Sequence, residues 1–226
     1  LEGDKRKRFI EIETELSKLS TDFSNHVLDA TKAFSMDIFE PEDAEGWPNS
    51  LKQLGAQSFN LANPNIDKKA TPEEGPWRIT LDMPIFGPFM QHSRNREQRK
   101  EIYHAQVTRA SMDKLDNQPL IEKILVLREE KAKLLGYNSY AELSLASKMA
   151  PDVSSVDKMA EELKTAAGPF AEKEYEQVKA LAQESGHEGE IRQWDWPFWS
   201  ERLREKLFDF TDDQLRPYFQ MPKVLE

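Results

Sequence analysis

The sequence predicts a mainly α fold, an elongated multi-helix domain with a minor two-stranded β element. Over most of the chain, apolar residues recur at steps of three and four, beginning with Phe9, Ile12 and Leu16. Two short segments alternate with a period of two instead, as strands do. Hydrophobic residues make up 38% and charged residues 32% of the 226 residues, a balance typical of helices with solvated outer faces.

The first third of the chain is predicted to contain one long helix followed by strands and loops. The helical period covers residues 1–33, and residues 34–88 are assigned to strands and loops. Within that region, apolar and polar residues alternate over 34–38 and over 77–81. Because a single short strand is unstable by itself, we expect these two strands to pair with each other against the helices.

The connection between the two strands is expected to be irregular except for one short helix. That helix is predicted over residues 49–61. Residues 63–75 are polar and rich in turn-forming residues, so we expect an exposed, mobile loop there. Pro84 and Pro88 should then limit regular structure as far as about Phe89.

Residues 89–226 are expected to be helical. In chain order, the predicted helices cover residues 90–111, 117–135, 139–148, 151–185 and 195–210. Gly136 is placed as a helix stop, and Pro169 should kink the longest helix. Thr211 and Gln214 have the spacing of a capping box.

Two of these helices have an apolar face, and we expect the face of the longest helix to point inward. The first face consists of Ile121, Ile124, Leu125 and Ala132. The second consists of Val156, Met159, Leu163, Ala167 and Phe170, with Ser154 or Ser155 as the helix cap.

Composition excludes several classes of protein and site. The net charge of −10 argues against nonspecific nucleic-acid binding, which needs clustered Lys and Arg. The absence of cysteine excludes disulfides and thiolate metal sites. No apolar run approaches the roughly 20 residues that span a bilayer, so no membrane partner is expected. The sequence also lacks a G-x-S-x-G elbow, a P-loop and a dinucleotide fingerprint.

Zinc chemistry has one apparent starting point, the segment His187-Glu188-Gly189-Glu190-Ile191. The zinc-protease motif H-E-x-x-H requires a second histidine at the position of Ile191, so that both imidazoles lie on one helix face. The other histidines are His26, His92 and His104, and no two histidines are three or four residues apart. A site assembled from separated segments stays open.

Acidic pairs and an aromatic cluster have both functional and structural interpretations. The pairs Glu129-Glu130 and Asp212-Asp213 suit acid–base chemistry, but adjacent helix residues point apart and acids near a helix start stabilise its dipole. The cluster Trp194, Trp196, Phe198 and Trp199 suits either a packing nucleus or peptide binding. Asp195 is expected to cap the helix that follows.

Four strings of sequence go beyond generic helix patterns. They are RKEIYHAQVTRAS (99–111), LREEKAKLLGYNSYAELSLASKMA (127–150), WDWPFWSERL (194–203) and QLRPYF (214–219). Together, in this order, they resemble the thimet oligopeptidase and oligopeptidase A family of zinc metallopeptidases. The resemblance is strongest to plant or bacterial members. The resemblance covers nearly the whole chain and is weakest over 40–75. The family often has Tyr-Tyr where this chain has Phe198-Trp199.

The resemblance implies that residues 1–226 form a non-catalytic helical segment of a peptidase that hydrolyses short unfolded peptides. In the family, H-E-x-x-H and the other catalytic residues follow the last of these strings, beyond Glu226. We therefore expect no catalytic, cofactor-binding or metal-binding residue in this chain, and zinc only in the parent protein. The family's two helical halves flank a channel, and this segment would form part of its wall.

The implied partners are short peptides and the catalytic half of the same protein. Self-association is also expected, because apolar helix faces without that half would be exposed. Candidates for polar contact with a peptide are Tyr103, Arg109, Arg128, Tyr137 and Tyr140. The alternative function is a non-catalytic peptide-binding or scaffold module from a truncated product. The expected location is the cytosol or an organelle such as the mitochondrion or plastid, and not the extracellular space.

Overall fold

The computed structural model describes residues 1–210, 212–215 and 217–222, and it is mainly α-helical with one two-stranded antiparallel sheet. This confirms the predicted fold class. The chain forms two compact units. Unit 1 comprises Leu1–Ala30 and Arg109–Lys173, and unit 2 comprises Thr31–Thr108 and Glu174–Glu226. The assignment of the whole chain to one domain stays a prediction.

The elements follow the predicted order. The helices are α1 (Gly3–Ala33), α2 (Asn49–Ala62), α3 (Met83–His92), α4 (Arg96–Val107), α5 (Gln118–Leu134), α6 (Tyr140–Leu145), α7 (Val153–Glu184), α8 (Trp196–Phe208) and α9 (Asp212–Leu215). The strands are β1 (Ser35–Ile38) and β2 (Trp77–Thr80), and short 3₁₀ helices cover Pro41–Ala44 and Asp113–Leu115. Among the described residues, no helix is both long enough and apolar enough to cross a membrane.

The core of unit 1 lies where α1 packs on α5. Ile12 and Leu19 of α1 and Leu127 of α5 are buried together. On the predicted apolar face of α5, Ala132 is buried and Ile124 packs against this core, whereas Ile121 is 39% and Leu125 58% exposed. α1 covers α5 around Leu127, whereas Ile121 and Leu125 lie outside this core and remain exposed.

The predicted inward orientation of the apolar face of α7 is wrong. Its apolar residues, here called the α7 stripe, are Val156, Met159, Leu163 and Phe170, which are 37%, 58%, 60% and 69% exposed. The reason is that no described element covers this part of α7, where nearly every residue is exposed.

The predicted serine cap of α7 is replaced by an aspartate. Asp152 Oδ1 accepts hydrogen bonds from the Ser155 amide at 2.7 Å and from the Ser154 hydroxyl at 3.1 Å. A carboxylate before the first turn satisfies a free N–H and also interacts well with the helix dipole.

The core of unit 2 is built around the two-stranded sheet. Ser35 pairs with Thr80 and Ile38 with Trp77, which confirms that the two predicted strands pair and shows that they are antiparallel. Trp77 and Ile79 alternate with half-buried neighbours, so one face of β2 is covered. The sheet and helices α2 and α3 share one hydrophobic core.

The region from Met83 to Val107 differs from the prediction. α3 begins at Met83, although loop was expected as far as about Phe89. Pro84 lies in the first turn, where an amide would have no partner in the helix, and burial of Ile85 and Phe89 favours the helix despite Pro88.

The single helix predicted over 90–111 is two helices. α3 ends at His92, and α4 begins after Asn95, whose side chain accepts the Gln98 amide at 3.3 Å. This side-chain cap offers the backbone a helix start at Asn95 in place of a continuous helix.

The loop over 63–75 is exposed in its first part and anchored in its second. Residues 64–69 are exposed, as predicted. Ala70 is buried, and its backbone N–H and C=O both bond to the Asn60 amide side chain, at 2.8 and 2.9 Å. Thr71 and Gly75 exchange two backbone hydrogen bonds. The predicted mobility therefore stays a prediction for 64–69 alone.

The predicted helix ends have mixed outcomes. Gly136, at φ +87°, ends α5, and the next amide, of Tyr137, returns to the Ala132 carbonyl at 2.9 Å, which confirms the predicted stop. The helix predicted over 139–148 ends earlier, at Leu145. Thr211 of the predicted capping box lies outside the described residues.

Candidate functional site

The segment His187–Ile191 is not helical and lies between α7 and α8. The His187 ring packs edge-on against Trp199, with ring centroids 5.8 Å apart. Glu190 forms an ion pair with Arg192 at 2.9 Å. This segment therefore lacks both the second histidine and the helical geometry that a zinc-binding H-E-x-x-H requires.

The remaining histidines lie in both units. His26, in unit 1, has Nδ1 2.9 Å from Asn117 Oδ1. In unit 2, the His104 ring lies 5.4 Å from that of Trp194. His92 was expected near a helix start and instead ends α3, because the chain becomes helical earlier than predicted.

One cluster in unit 2 has the composition of a metal site. His92, Glu201 and Glu205 each place one potential ligand atom within 4.8 Å of the others. Imidazole and carboxylate are both donors that zinc accepts. His92 lies on α3 and both glutamates lie on α8, so only the fold brings them together and sequence spacing gave no signal.

Two arginines already neutralise this cluster. Arg202 Nη2 lies 3.1 Å from His92 Nδ1 and 2.7 Å from Glu205 Oε1. Arg204 Nε donates to Glu201 Oε2 at 3.0 Å. Because a guanidinium is permanently charged, a divalent ion would have to displace two cations. The residues present do not fit zinc.

Burial and the neighbouring arginine have opposite effects on the pKa of the Glu201 carboxylate. It is buried, and burial alone would raise its pKa. The hydrogen bond and charge of Arg204 outweigh burial and hold the pKa of Glu201 below its ordinary value. Glu201 is thus an ionised carboxylate paired with arginine and not a proton donor near neutral pH.

A second charged group of unit 2 is centred on Asp195, whose side chain is fully buried. Arg96 Nε and Nη2 donate to its two oxygens at 2.9 and 2.8 Å, and Arg99 Nη2 donates at 3.0 Å. The Arg192 amide donates to Oδ2 at 3.1 Å. Asp195 does occupy the N-cap position of α8, as expected, but its side chain accepts no capping hydrogen bond from the helix, because arginines and a preceding amide take both oxygens.

Arg99 ties this group to the surrounding backbone. Its guanidinium donates to the Trp194 carbonyl at 3.0 Å and the Ser93 carbonyl at 2.7 Å, and it lies 4.4 Å from the Phe198 ring centroid. Burial lowers the pKa of Arg99, and the bond to Asp195 opposes that shift. Burial alone would raise the pKa of Asp195, but the arginine hydrogen bonds hold it below its ordinary value.

The aromatic cluster around α8 is mainly a packing element. Phe198 is buried, with its ring 5.0 Å from that of Trp199. Trp194 packs 5.9 Å from Tyr103, a residue predicted to contact peptide. Trp196 stacks on Tyr175 at 5.7 Å and is the most exposed member of the cluster.

The other predicted peptide contacts lie in unit 1, and the structure brings two of them together. The Arg128 guanidinium lies over the Tyr140 ring, 4.8 Å from its centroid. Arg109 lines a nearby cavity, whereas Tyr137 lines a separate cavity at the start of α7.

A groove runs between α1 and α5, and we call it the α1–α5 groove. Its first cavity has a volume of about 310 Å³. That cavity is lined by Ser20, Phe23 and Ser24 of α1 and by Ile121, Ile124, Leu125 and Arg128 of α5. A second cavity of about 430 Å³ shares Phe23 and Ile121 with the first and adds Arg109. The groove thus has an apolar floor with an arginine in each cavity.

The acidic pair Glu129-Glu130 serves structural contacts. Glu129 pairs with Lys133 on the same helix, and Glu130 accepts two hydrogen bonds from Arg8 of α1, at 2.6 and 2.7 Å. Lys131 of α5 adds a further ion pair to Glu13, at 2.6 Å. The side chains of Asp212 and Asp213 lie outside the described residues.

Comparison with known proteins identifies the family. The model of peptidase family M3 matches residues 89–226. The chain is 47% identical to the probable cytosolic oligopeptidase A of Arabidopsis thaliana over 228 residues, covering 100% of this chain and 32% of that protein. It is 46% identical to the organellar oligopeptidase A, chloroplastic/mitochondrial, of the same plant, covering 100% of this chain and 28% of that protein.

The same relationship extends to bacteria. Oligopeptidase A of Salmonella typhimurium is 37% identical over 230 residues, covering 100% of this chain and 32% of that protein. The chain thus spans about a third of the length of the curated relatives it matches. These matches confirm the resemblance given by the four sequence strings, including its plant and bacterial character. The chain belongs to peptidase family M3.

Proposed function

We propose that this chain is the non-catalytic section of a zinc-dependent oligopeptidase that hydrolyses short unfolded peptides. In this proposal the section forms part of the wall of a peptide channel, and zinc is held by another section of the same protein. The observation that carries it is the 47% identity to an oligopeptidase A along the whole of this chain but only 32% of that relative.

The α7 stripe supports the presence of a further section. Its residues recur at steps of three, four and seven along one helix, the period of a face that packs on another helix. Apolar side chains gain roughly 25 cal/mol for each Å² removed from water. We therefore assign this face to packing against the section of the longer peptidase that this chain does not include.

The charged groups of unit 2 support the absence of a metal role in this section. Peptide hydrolysis by zinc needs an ion that activates water and polarises the scissile carbonyl. Arg202 and Arg204 already pair with the carboxylates of the one His–Glu–Glu cluster found among the described residues. The contribution of this chain is then to shape the channel and exclude folded substrates.

Complementation tests this proposal. The isolated chain, assayed with a quenched fluorescent peptide and added zinc, is expected to show no turnover. Co-purification with the remaining part of the Arabidopsis thaliana relative should restore turnover that a chelator abolishes. Chelator-sensitive turnover by the isolated chain would contradict the proposal, and so would a stable complex without turnover.

The alternative function is a non-catalytic module that binds peptides without hydrolysis. The α1–α5 groove favours it, because a cavity of about 310 Å³ with an apolar floor and an arginine exists within unit 1 alone. Peptide binding by the isolated chain together with failed complementation would support this alternative. The location follows the relatives, one named cytosolic and one organellar, so either compartment fits the proposal.

A further inference from the structure

We infer that the α1–α5 groove binds the C-terminal end of a short peptide, with the terminal carboxylate on Arg128 and the last side chain on the apolar floor. The ligand class is a peptide with a free carboxylate and an apolar last residue. The inference rests on the proposed function insofar as it names peptides as ligands. It adds a binding site and the end of the peptide that the site recognises.

Arg128 differs from several other arginines on the helices and strands of this chain. Arg8, Arg78 and Arg96 each hold a carboxylate, of Glu130, Asp37 and Asp195 respectively. Arg128 is half-buried and contacts the Tyr140 ring, and no acidic group among the described residues pairs with it. A guanidinium held in place without an anion is suited to receive one from a ligand.

The contact with Tyr140 leaves the donors of Arg128 available. The contact is an attraction between the guanidinium charge and the ring, and no hydrogen bond from Arg128 to an acceptor is found among the described residues. A carboxylate needs two in-plane N–H donors for a bidentate contact. Tyr140 therefore fixes the orientation of the group without competing for the ligand.

The floor of the groove supplies the apolar part of the site. Phe23, Ile121 and Leu125 line the cavity that also contains Arg128, and the last two are substantially exposed. A volume of about 310 Å³ is at the small end of ligand pockets and accommodates a large side chain. Covering these residues removes apolar surface from water, which favours a Leu or Phe at the end of the peptide.

The groove has a direction because a second cavity continues from the first. That cavity, of about 430 Å³, shares Phe23 and Ile121 with the first and extends toward Val27 and Arg109. A peptide whose carboxylate lies on Arg128 would place its preceding residues there. The side chain of Asn117, which also lines this cavity, is engaged by His26 and the Phe23 carbonyl and serves as wall.

Charge favours a peptide end over an internal segment. The chain has a net charge of −10, so anionic ligands are repelled except where an unpaired cation lies at the surface. An internal peptide segment carries no carboxylate on its backbone. Terminal carboxylates are abundant on short peptides and rare on long chains, so this site would favour short ones.

The test uses acetyl-Ala-Leu-Phe with a free carboxylate and the same peptide with a C-terminal amide. Isothermal titration of the isolated chain at low salt is expected to show at least tenfold weaker binding of the amide. Arg128→Gln should weaken binding of the acid at least tenfold and abolish the preference, and Arg128→Lys should recover part of it. Arg6→Gln, at an exposed position of α1, is the matched charge control and should bind like the wild type.

Equal affinity for acid and amide, or full affinity in Arg128→Gln, would overturn the inference. The comparison of acid with amide needs only the wild-type chain, so a misfolded variant does not weaken the test. Absence of binding together with restored turnover in the complementation assay would remove this site and leave the proposed function intact. Binding without restored turnover would support this site and contradict the proposed function.

Discussion

Arg99 and Asp195 form a buried ion pair across 96 residues of sequence, with Nη2 3.0 Å from Oδ1 and both side chains nearly inaccessible. Arg96 completes the group with two more hydrogen bonds. The pair joins α4 to the turn before α8, which also carries the aromatic cluster. It connects two of the four strings that carry the family resemblance, RKEIYHAQVTRAS and WDWPFWSERL, through a structural contact.

Asp195→Ala is expected to destabilise the chain by about 3–5 kcal/mol, because it leaves the buried Arg99 without its anion. Urea denaturation followed by circular dichroism measures this loss. Glu190→Ala is the control, since the Glu190–Arg192 pair is exposed and such pairs contribute at most about 1 kcal/mol. A loss below about 1 kcal/mol for Asp195→Ala would contradict the structural role of the group.

The same carboxylate predicts how stability changes with pH. Hydrogen bonds from the arginines hold the pKa of Asp195 below its ordinary value of 3.8. A lowered pKa means that the stabilisation is complete above about pH 4 and is lost as pH falls through the folded-state pKa. The difference in unfolding free energy between wild type and Asp195→Asn should therefore shrink below pH 4. A difference that stays constant down to pH 2 would show that folding does not lower the pKa of Asp195.

Local patterns predicted most helices and the sheet, since these elements depend on residues close in sequence. The two strands and the helix stop at Gly136 were predicted correctly, because each depends only on residues a few positions apart. α3 was missed because prolines were given more weight than the burial of Ile85 and Phe89, which depends on distant partners. Tertiary packing overrides local preference at such positions.

The candidate site was less predictable than the fold. Arg128 and Tyr140 were both named as candidates, but their contact depends on how α6 follows α5. The group around Asp195 and the cluster at His92 join residues about a hundred positions apart, and sequence spacing carries no signal for that. The helical period of the α7 stripe was predicted correctly. Its burial was not, because no described residue covers it.

The exposed α7 stripe predicts that the isolated chain self-associates, because association removes exposed apolar surface from water. Sedimentation velocity over a range of concentrations should show a rising mean mass. Leu163→Glu should shift the chain toward monomer, because a charge in the centre of a helix interface is costly. Leu61→Glu is the control at an exposed leucine of unit 2. If the wild-type chain is a monomer at every concentration, the α7 stripe does not mediate self-association.

Gly75 and Gly87 provide a matched pair of glycine substitutions. Gly75 has φ +70°, and an added Cβ would lie 2.8 Å from the Trp77 ring. Gly75→Ala should therefore cost about 2–4 kcal/mol through backbone strain and a clash in the core. Gly87 lies inside α3 with open space around its Cα, so Gly87→Ala should stabilise by up to about 1 kcal/mol. Thermal unfolding of both variants measures the contrast. Equal effects would contradict the positive φ of Gly75 and its close approach to the Trp77 ring.

The arginine-paired cluster predicts how this chain responds to zinc. Wild-type chain is expected to retain no stoichiometric zinc after dialysis, because Arg202 engages both His92 and Glu205. Arg202→Met removes that cation while keeping much of its apolar stem, so calorimetric zinc affinity should rise at least tenfold over wild type. Adding His92→Ala to that variant should return the affinity to the wild-type level. Tight zinc binding by the wild type that His92→Ala abolishes would show instead that the metal displaces the guanidinium, and the assignment of zinc to another section would fail.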